Sequence, residues 1–268
     1  EVILHMVRCF EDPNIVHVEG DIDPIRDVEI IETELIYADI TQLEKKIDRL
    51  KKEAKFDKKA AAKLEVAKSL AEHLDALKPV NTFDQKDNED FEELDKELRF
   101  LSNKDIIYGA NVDEDSLVDG NGYVEKLKAH ADSVGADLVM LCAKIEEELI
   151  GMEDDEALEM LNDLGVEESG LEKIIHKAFA KLGLQSYFTA GKVEVRAWTI
   201  PIGCTAPKAA AVIHNDFEKG FIKAEVIAYN DFVTLGGEAK AKEAGKLKLE
   251  GKDYIVQDGD VMHFRFNV

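Results

Sequence analysis

At 268 residues the chain is long enough for two or three modest domains, since one hydrophobic core usually serves about 100–200 residues. Its 34 Lys and Arg stand against 57 Asp and Glu, a formal charge of −23, which excludes a protein that coats nucleic acid with its whole surface and leaves room for a local basic patch. A hydrophobic share of 45% excludes wholesale disorder, and no apolar run approaches the ~18 residues that cross a membrane.

The first element is the apolar, β-forming run Val2-Ile3-Leu4-His5-Met6-Val7, closed by the turn residues Glu11-Asp12-Pro13-Asn14. It reads as a strand apolar on both faces, the kind found inside a parallel sheet with neighbours on each side. From Asp27 the period changes: Ile36, Ile40, Leu43, Ile47, Leu50 and Ala54 recur at spacings of four and three, a heptad seam. After Phe56-Asp57 a second seam follows, Ala60, Leu64, Ala67, Ala71 and Leu74, ending before Pro79. Two helices of similar length with a short connection predict an antiparallel coiled-coil hairpin.

Residues 44–68 of this hairpin hold ten Lys and Arg and five Asp and Glu, a basic lobe in an acidic chain. Residues 84–97 (eight acidic, two basic) and 144–175 (twelve acidic, two basic) read instead as solvated acidic helices and loops. A second buried strand is predicted at Ile106–Ala110, a helix over Gly122–Val134, and a third strand over Asp137–Ala143; strand, helix, strand is a crossover unit of an α/β sheet. Near the end, Val193, Val195, Ala197 and Thr199, and then Met262, Phe264, Phe266 and Val268, alternate at period two. With glycines punctuating what lies between, they predict a separate, mostly antiparallel α+β domain with one helix.

The phosphate-cradling string GxxxxGK[ST] is absent, since Gly191-Lys192, Gly245-Lys246 and Gly251-Lys252 are each followed by the wrong residue. Asn111-Val112-Asp113-Glu114 nevertheless stands at the C-terminal end of a predicted parallel strand, where such sheets bind ligands and where a GTPase carries Asn-Lys-x-Asp. An Asn amide can both donate to and accept from a purine edge, and a carboxylate nearby can accept the N1 and N2 hydrogens of guanine. The same four residues also read as an Asn-initiated turn leading into a solvated acidic loop. Cys142-Ala143-Lys144, at the end of the next strand, has the form of a loop that closes over a base, as many strand ends do. Cys9, Cys142 and Cys204 are far apart and form no CxxC pair, and the seven histidines show no metal spacing, so no disulfide framework, zinc site or reactive nucleophile is indicated. His214-Asn215-Asp216-Phe217 reads either as an acid–base pair or as a helix start capped by Asn or Asp. The lysine-rich hairpin reads as a solvated face or, alternatively, as a contact for an RNA backbone, with Lys51, Lys52, Lys55, Lys58 and Lys59 at its centre.

Longer strings are more specific. They include His5-Met6-Val7-Arg8-Cys9-Phe10-Glu11-Asp12, His17-Val18-Glu19-Gly20, Asp23-Pro24-Ile25-Arg26-Asp27, Arg196-Ala197-Trp198-Thr199-Ile200, Ala206-Pro207-Lys208-Ala209-Ala210 and the closing Asp258–Val268. Together they closely resemble the YchF family, the Obg-like ATPases, over essentially the whole chain. The resemblance implies an α/β fold: part of a Ras-like P-loop NTPase sheet (residues 1–26 and 100–183), an inserted helical coiled-coil domain (27–99) and a C-terminal ubiquitin-like TGS domain (184–268). It also implies ATP hydrolysis in preference to GTP, with Mg2+, and a cytoplasmic protein that meets the ribosome, in particular rRNA of the large subunit through the basic hairpin.

On that resemblance Asn111 faces the adenine edge, the main chain at Val112 lines the base pocket, Glu114 replaces the guanine-selecting Asp, and Cys142, Ala143 and Lys144 form the last base-side loop. Family patterns more often have Ser where Cys142 stands. The resemblance further implies that the P-loop, the switch regions and the catalytic histidine precede Glu1, so the expectation is base recognition with no catalytic or metal-binding residue in these 268 residues. The competing expectation is a non-catalytic RNA- or ribosome-binding module acting through the hairpin and the TGS sheet.

Overall fold

A computed structural model describes residues 1–15, 20–191 and 194–267, which divide into one unit of residues 1–177 and another of residues 178–268. The residues His17 to Glu19, Val193 and Val268, named in the motifs above, lie outside the described residues.

In the first unit β1 (Val2–Arg8) opens a parallel sheet and leads to α1 (Pro24–Glu53), α2 (Lys58–Asp75) and α3 (Glu89–Leu98) before the chain returns as β2 (Asp105–Asn111). α4 (Gly122–Val134), β3 (Asp137–Leu141), α5 (Ala143–Leu149), α6 (Asp154–Asp163) and α7 (Gly170–Lys181) complete it, the division between units falling inside α7. The strand order is β1-β2-β3, with His5 opposite Tyr108 and Gly109 opposite Val139. β2 is buried on both faces, as expected of a central strand: Ile107, Tyr108 and Ala110 are all buried.

β1, although apolar on both faces, is buried on one. His5 and Val7 are buried, but Leu4 and Met6 are 41% and 45% exposed. Val28, Val124, Leu127 and Ala131 of α1 and α4 cover the Val7 side of the sheet, and an edge strand covered on one side keeps one open face. Gly109 leaves room for the Met6 side chain to lie across β2: a Cβ there would lie 2.5 Å from the Met6 sulfur and displace the end of that flexible side chain.

α1 starts three residues before the heptad signal because Asp23 caps it, accepting from the amides of Ile25 and Arg26, with Pro24 in the first turn. The two seams meet as the spacing predicts: Ile36, Leu43, Ile47 and Leu50 bury against Ala60, Leu64, Ala67 and Leu74, with Ile40, Ala54 and Ala71 part-buried at the same core. Val66 and Leu70 join them, and each fully buried leucine contributes about 1.5–3 kcal/mol.

The acidic stretch 84–97, expected to be solvated, is only partly so. α3 buries Phe91 and Leu94 in the hairpin core, Glu93 bonds Lys59 at 2.6 Å and also Lys63, and Glu97 bonds Lys46 at 2.6 Å. Local composition counted those charges, but the pairing needs a helix–helix packing that counting cannot supply. Two buried polar groups were also invisible to periodicity. Asp39, fully buried on α1, accepts from the amides of Leu101 and Ser102 and from the Ser102 hydroxyl. Tyr108 donates to Glu32 of α1, with the His130 Nε2 of α4 3.3 Å away.

The second unit continues from the end of α7 with β4 (Leu184–Ala190), β5 (Val195–Pro201), α8 (Ala206–Ile213), α9 (Asn215–Lys219) and β6 (Phe221–Ala228). It ends with α10 (Tyr229–Leu235), α11 (Glu238–Glu243), β7 (Lys248–Glu250) and β8 (Asp260–Phe266). The sheet order is β5-β4-β8-β6-β7, antiparallel except where β4 runs parallel to β8. Four short helices replace the single one expected. Alternation correctly marks β5, but Val195, Ala197 and Thr199 are its exposed set, while Ile200 is buried and Trp198 half-buried. β5 is an edge strand, and its inner face needs only those two larger side chains. His214 itself caps α9, its Nδ1 accepting from the amide of Asp216 at 3.2 Å, so neither Asn215 nor Asp216 is the cap. Among the described residues no helix is long and apolar enough to cross a membrane.

Candidate purine site and basic hairpin turn

Parallel pairing of β2 with β3 sets Asn111 opposite Leu141, so the segments that leave the two strands start side by side. The Asn111 Oδ1 accepts from the amide of Ala143 at 3.0 Å, across that gap. Its main-chain carbonyl accepts from the amide of Cys9 at 2.8 Å. With both oxygens engaged the side chain is held in one orientation, and its Nδ2 donor has no protein partner among the described residues. The turn after it is organised by Asp113, whose carboxylate accepts from the amide of Ser116 at 3.0 Å. Asn111 is therefore not the residue that starts the turn.

Val112 is buried and its N–H donates to the carbonyl of Leu141 at 2.9 Å, so of its main chain only the carbonyl remains for a ligand. Cys142 is buried at the N-cap of α5 and makes no side-chain cap hydrogen bond, as expected of a thiol, whose sulfur is a weak acceptor for the backbone N–H that a cap must take. Ala143 and Lys144 are exposed in the first turn of α5. The Lys144 ammonium bonds Glu114 at 2.5 Å; this hydrogen bond and the charge behind it push the Lys144 pKa up. Sequence reading named all six positions but not the bond that joins Asn111 to Ala143 or the ion pair that joins Glu114 to Lys144.

It also passed over Asn121. The Oδ1 of that side chain caps α4, accepting from the amides of Tyr123 (3.0 Å) and Val124 (3.1 Å), and its Nδ2 donates to the carbonyl of Cys9 (2.7 Å) and to Ser116 (3.2 Å). One residue thus ties the end of β1, the loop after Asn111 and the start of α4. An Asn just ahead of a glycine and an apolar periodic run is a helix-start signal, which was available in the sequence. Behind the site, Gly170 of α7 lies so close to β3 that a Cβ on it would be 2.3 Å from that of Leu141. The carboxylate of Glu146 on α5 accepts from the amides of Gly170 and Leu171.

These groups fit a purine: a fixed amide donor, a neighbouring carbonyl and an ion pair beside them. Among the described residues no group of three or more His, Cys, Asp or Glu is placed to hold a metal ion.

The five hairpin lysines do not act as one. Lys51 pairs with Asp48 at 3.0 Å and Lys59 with Glu93 at 2.6 Å. Lys52, Lys55 and Lys58 are exposed around the α1–α2 turn with no ion pair among the described residues. Between them sits Phe56, 93% exposed, which heptad reading leaves outside both seams.

Residues 184–267 match a family model named YchF-GTPase_C and described as a protein of unknown function (DUF933). The ribosome-binding ATPase YchF of Pasteurella multocida is 52% identical over 269 residues, a match spanning 100% of this chain and 73% of that protein. The protein of the same name from Bacillus subtilis is 48% identical, with 100% and 74% covered. Obg-like ATPase 1 of Caenorhabditis elegans is 40% identical, with 100% and 68% covered. Among solved structures the Schizosaccharomyces pombe YchF GTPase superposes with a TM-score of 0.78 at 35% identity, over 98% of this chain and 72% of that one. Similarity that runs from end to end in sequence, and recurs in the backbone, is inheritance of the whole arrangement, and the chain belongs to the YchF family of Obg-like ATPases.

Proposed function

We propose that the chain recognises the base of ATP in preference to GTP and associates with the ribosome in the cytoplasm. The observation that carries the base reading is the Asn111–Ala143 bond. It presents an oriented amide at the C-terminal ends of two parallel strands, the position where α/β sheets receive nucleotides. Glu114, Ala143, Lys144, Cys142 and the carbonyl of Val112 complete the base-side wall. Selectivity follows from the ion pair. Guanine needs an acceptor for its N1 and N2 hydrogens, and the carboxylate that would accept them is bonded to Lys144, whereas adenine needs none there.

Residues 1–26 and 100–183 are read as nucleotide-binding domain, 27–99 as the coiled-coil insertion and 184–268 as the TGS domain. The ribosome reading is supported by the names of the relatives from Pasteurella and Bacillus and by the basic turn, whose lysines suit rRNA of the large subunit. Phosphate chemistry and Mg2+ are properties we assign to the family rather than to these residues, which carry no GxxxxGK[ST] string. A second reading, a non-catalytic module that reaches the ribosome through the hairpin and TGS sheet, is favoured by Lys52, Lys55 and Lys58 of the basic turn, exposed and without ion pairs among the described residues.

Saturation-transfer NMR of ATP and GTP with this chain tests the first reading. Adenine H2 and H8 are expected to saturate more strongly than guanine H8, and Asn111→Ala to abolish the transfer. Glu114→Asp, too short to keep the Lys144 bond, is expected to move the preference about tenfold toward GTP, a change of about 1.4 kcal/mol. Equal transfer to both bases, or transfer that survives Asn111→Ala, contradicts the assignment.

A further inference from the structure

Phe56 is the exposed exception among twelve phenylalanines, and its exposure is not the slack of a loose loop. Its amide donates to the carbonyl of Glu53 at 3.0 Å, and that of Asp57 to the same carbonyl at 3.1 Å. Asp57 caps α2 by accepting from the amide of Lys59 at 2.8 Å. The end of one helix and the start of the next therefore fix the backbone on both sides of the ring. A ring so held and left in water forgoes the gain of burial, and since a single exposed apolar side chain is ordinary on a protein surface, it is the charge around this one that gives it meaning.

The surroundings say what kind of partner. Residues 51–59 hold five lysines against Glu53 and Asp57, a local charge of +3 on a chain of −23. Lys52, Lys55 and Lys58 are exposed and without ion pairs among the described residues, and no second exposed large apolar side chain lies between residues 38 and 76. A protein groove would call for an apolar collar around the anchor. A lone exposed aromatic with unpaired lysines at neighbouring positions is instead what an unpaired base and its flanking phosphates require, because every base has a π-face and the backbone is anionic. A duplex hides its base faces and offers nothing to stack.

We propose that Phe56 is a base-stacking residue: the α1–α2 turn grips an unpaired nucleotide of an RNA, Phe56 stacking on the base while Lys52, Lys55 and Lys58 hold the adjoining phosphates. The inference deepens the ribosome reading above and rests on it for the identity of the RNA.

The test uses the whole chain, a fluorescein-labelled ten-nucleotide single-stranded RNA of mixed sequence and its duplex, read by anisotropy, with ribosome co-sedimentation alongside. The single strand is expected to bind at least tenfold tighter than the duplex. Phe56→Trp should bind within about threefold of the original, while Phe56→Ala and Phe56→Leu should each lose at least tenfold with the salt slope unchanged. Replacing Lys52, Lys55 and Lys58 by Gln should reduce that slope by about 2, at about 0.7 per single-strand phosphate contact. Because Phe56 is exposed, its variants should melt as the original does. Equal binding of duplex and single strand, or full affinity in Phe56→Leu, overturns the stacking role. Loss of ribosome binding in Phe56→Ala from a chain that binds no RNA also overturns it, in favour of a protein groove. Unaltered ribosome binding by Phe56→Ala sinks the Phe56 inference and leaves the ribosome reading standing. Phe56-dependent RNA binding without ribosome sedimentation does the reverse.

Discussion

Asp39→Ala is expected to lower the unfolding free energy of the first unit by about 3–5 kcal/mol, because it leaves three donors without their acceptor. Asp39 is fully buried and accepts from the amide of Leu101 at 2.7 Å and from the amide and hydroxyl of Ser102 at 2.8 and 2.7 Å. The Ser102 hydroxyl in turn accepts from the amide of Val80 at 3.0 Å. The carboxylate thus locks α1 to the segment that carries the chain back into β2. Alanine leaves three donors facing a cavity, each costing about 1–3 kcal/mol, offset in part by water entering it. Asn is not a safe replacement, since whichever way its amide turns an NH2 meets at least one donor. Urea unfolding followed by helix circular dichroism gives the global figure. Amide exchange at Leu101 and Ser102, expected to speed up more than exchange in β3, gives the local one. A loss below about 1 kcal/mol with protection retained at both amides would show that the network is not what holds α1 against the segment at Leu101 and Ser102.

Asn121→Ala is expected to cost about 2–4 kcal/mol and to weaken purine binding as well. Losing the cap of α4 accounts for about 1 kcal/mol. Removing the donor to the carbonyl of Cys9, a residue with no exposure, adds about 1–3 kcal/mol for a buried acceptor left without a partner. The functional effect follows because the same side chain bonds Ser116, in the loop that carries Glu114. A freed loop must be re-ordered on binding, and a penalty of about 1.4 kcal/mol is tenfold in affinity. Asn121→Ser, which can keep the cap without the long-range donor, should recover part of the stability and little of the affinity. Thermal melting with the ATP saturation-transfer signal reads both. A variant that melts early yet binds ATP as before would separate Asn121 from the site.

Much of the layout was legible because it is written in short-range pattern. The heptads of Ile36 to Ala54 and Ala60 to Leu74 required no tertiary information, and the end of β2 lies where an apolar run meets Asn111, whereas the apolar run to Ala143 overshot β3, which stops at Leu141 because Ala143 already begins α5. What escaped depends on elements meeting. Asp39 looks like any polar residue in a helix until the turn at Leu101 is packed against it. Glu93 looks solvated until α3 lies beside Lys59 and Lys63. The face of β5 was misjudged because alternation gives two equivalent faces, and only the neighbouring strand and the helices decide which one is inside. At the site, residue types and chain order located Asn111, Glu114 and Lys144, while the Asn111–Ala143 bond and the Glu114–Lys144 pair belong to the register of β2 on β3. Phe56 was visible in the sequence but had no meaning there, since a phenylalanine is expected to be buried until its exposure is known.

The central claim is that this chain reaches the ribosome through the basic turn of its helical hairpin. It is tested most directly by co-sedimentation of the chain with ribosomes at about 50 and 200 mM salt, beside a variant with Lys52, Lys55 and Lys58 changed to Glu. The account predicts binding by the original chain that weakens steeply with salt, and a variant that remains in the supernatant at both concentrations while melting normally. Equal sedimentation of the two proteins, or binding by the original chain that does not respond to salt, would contradict it.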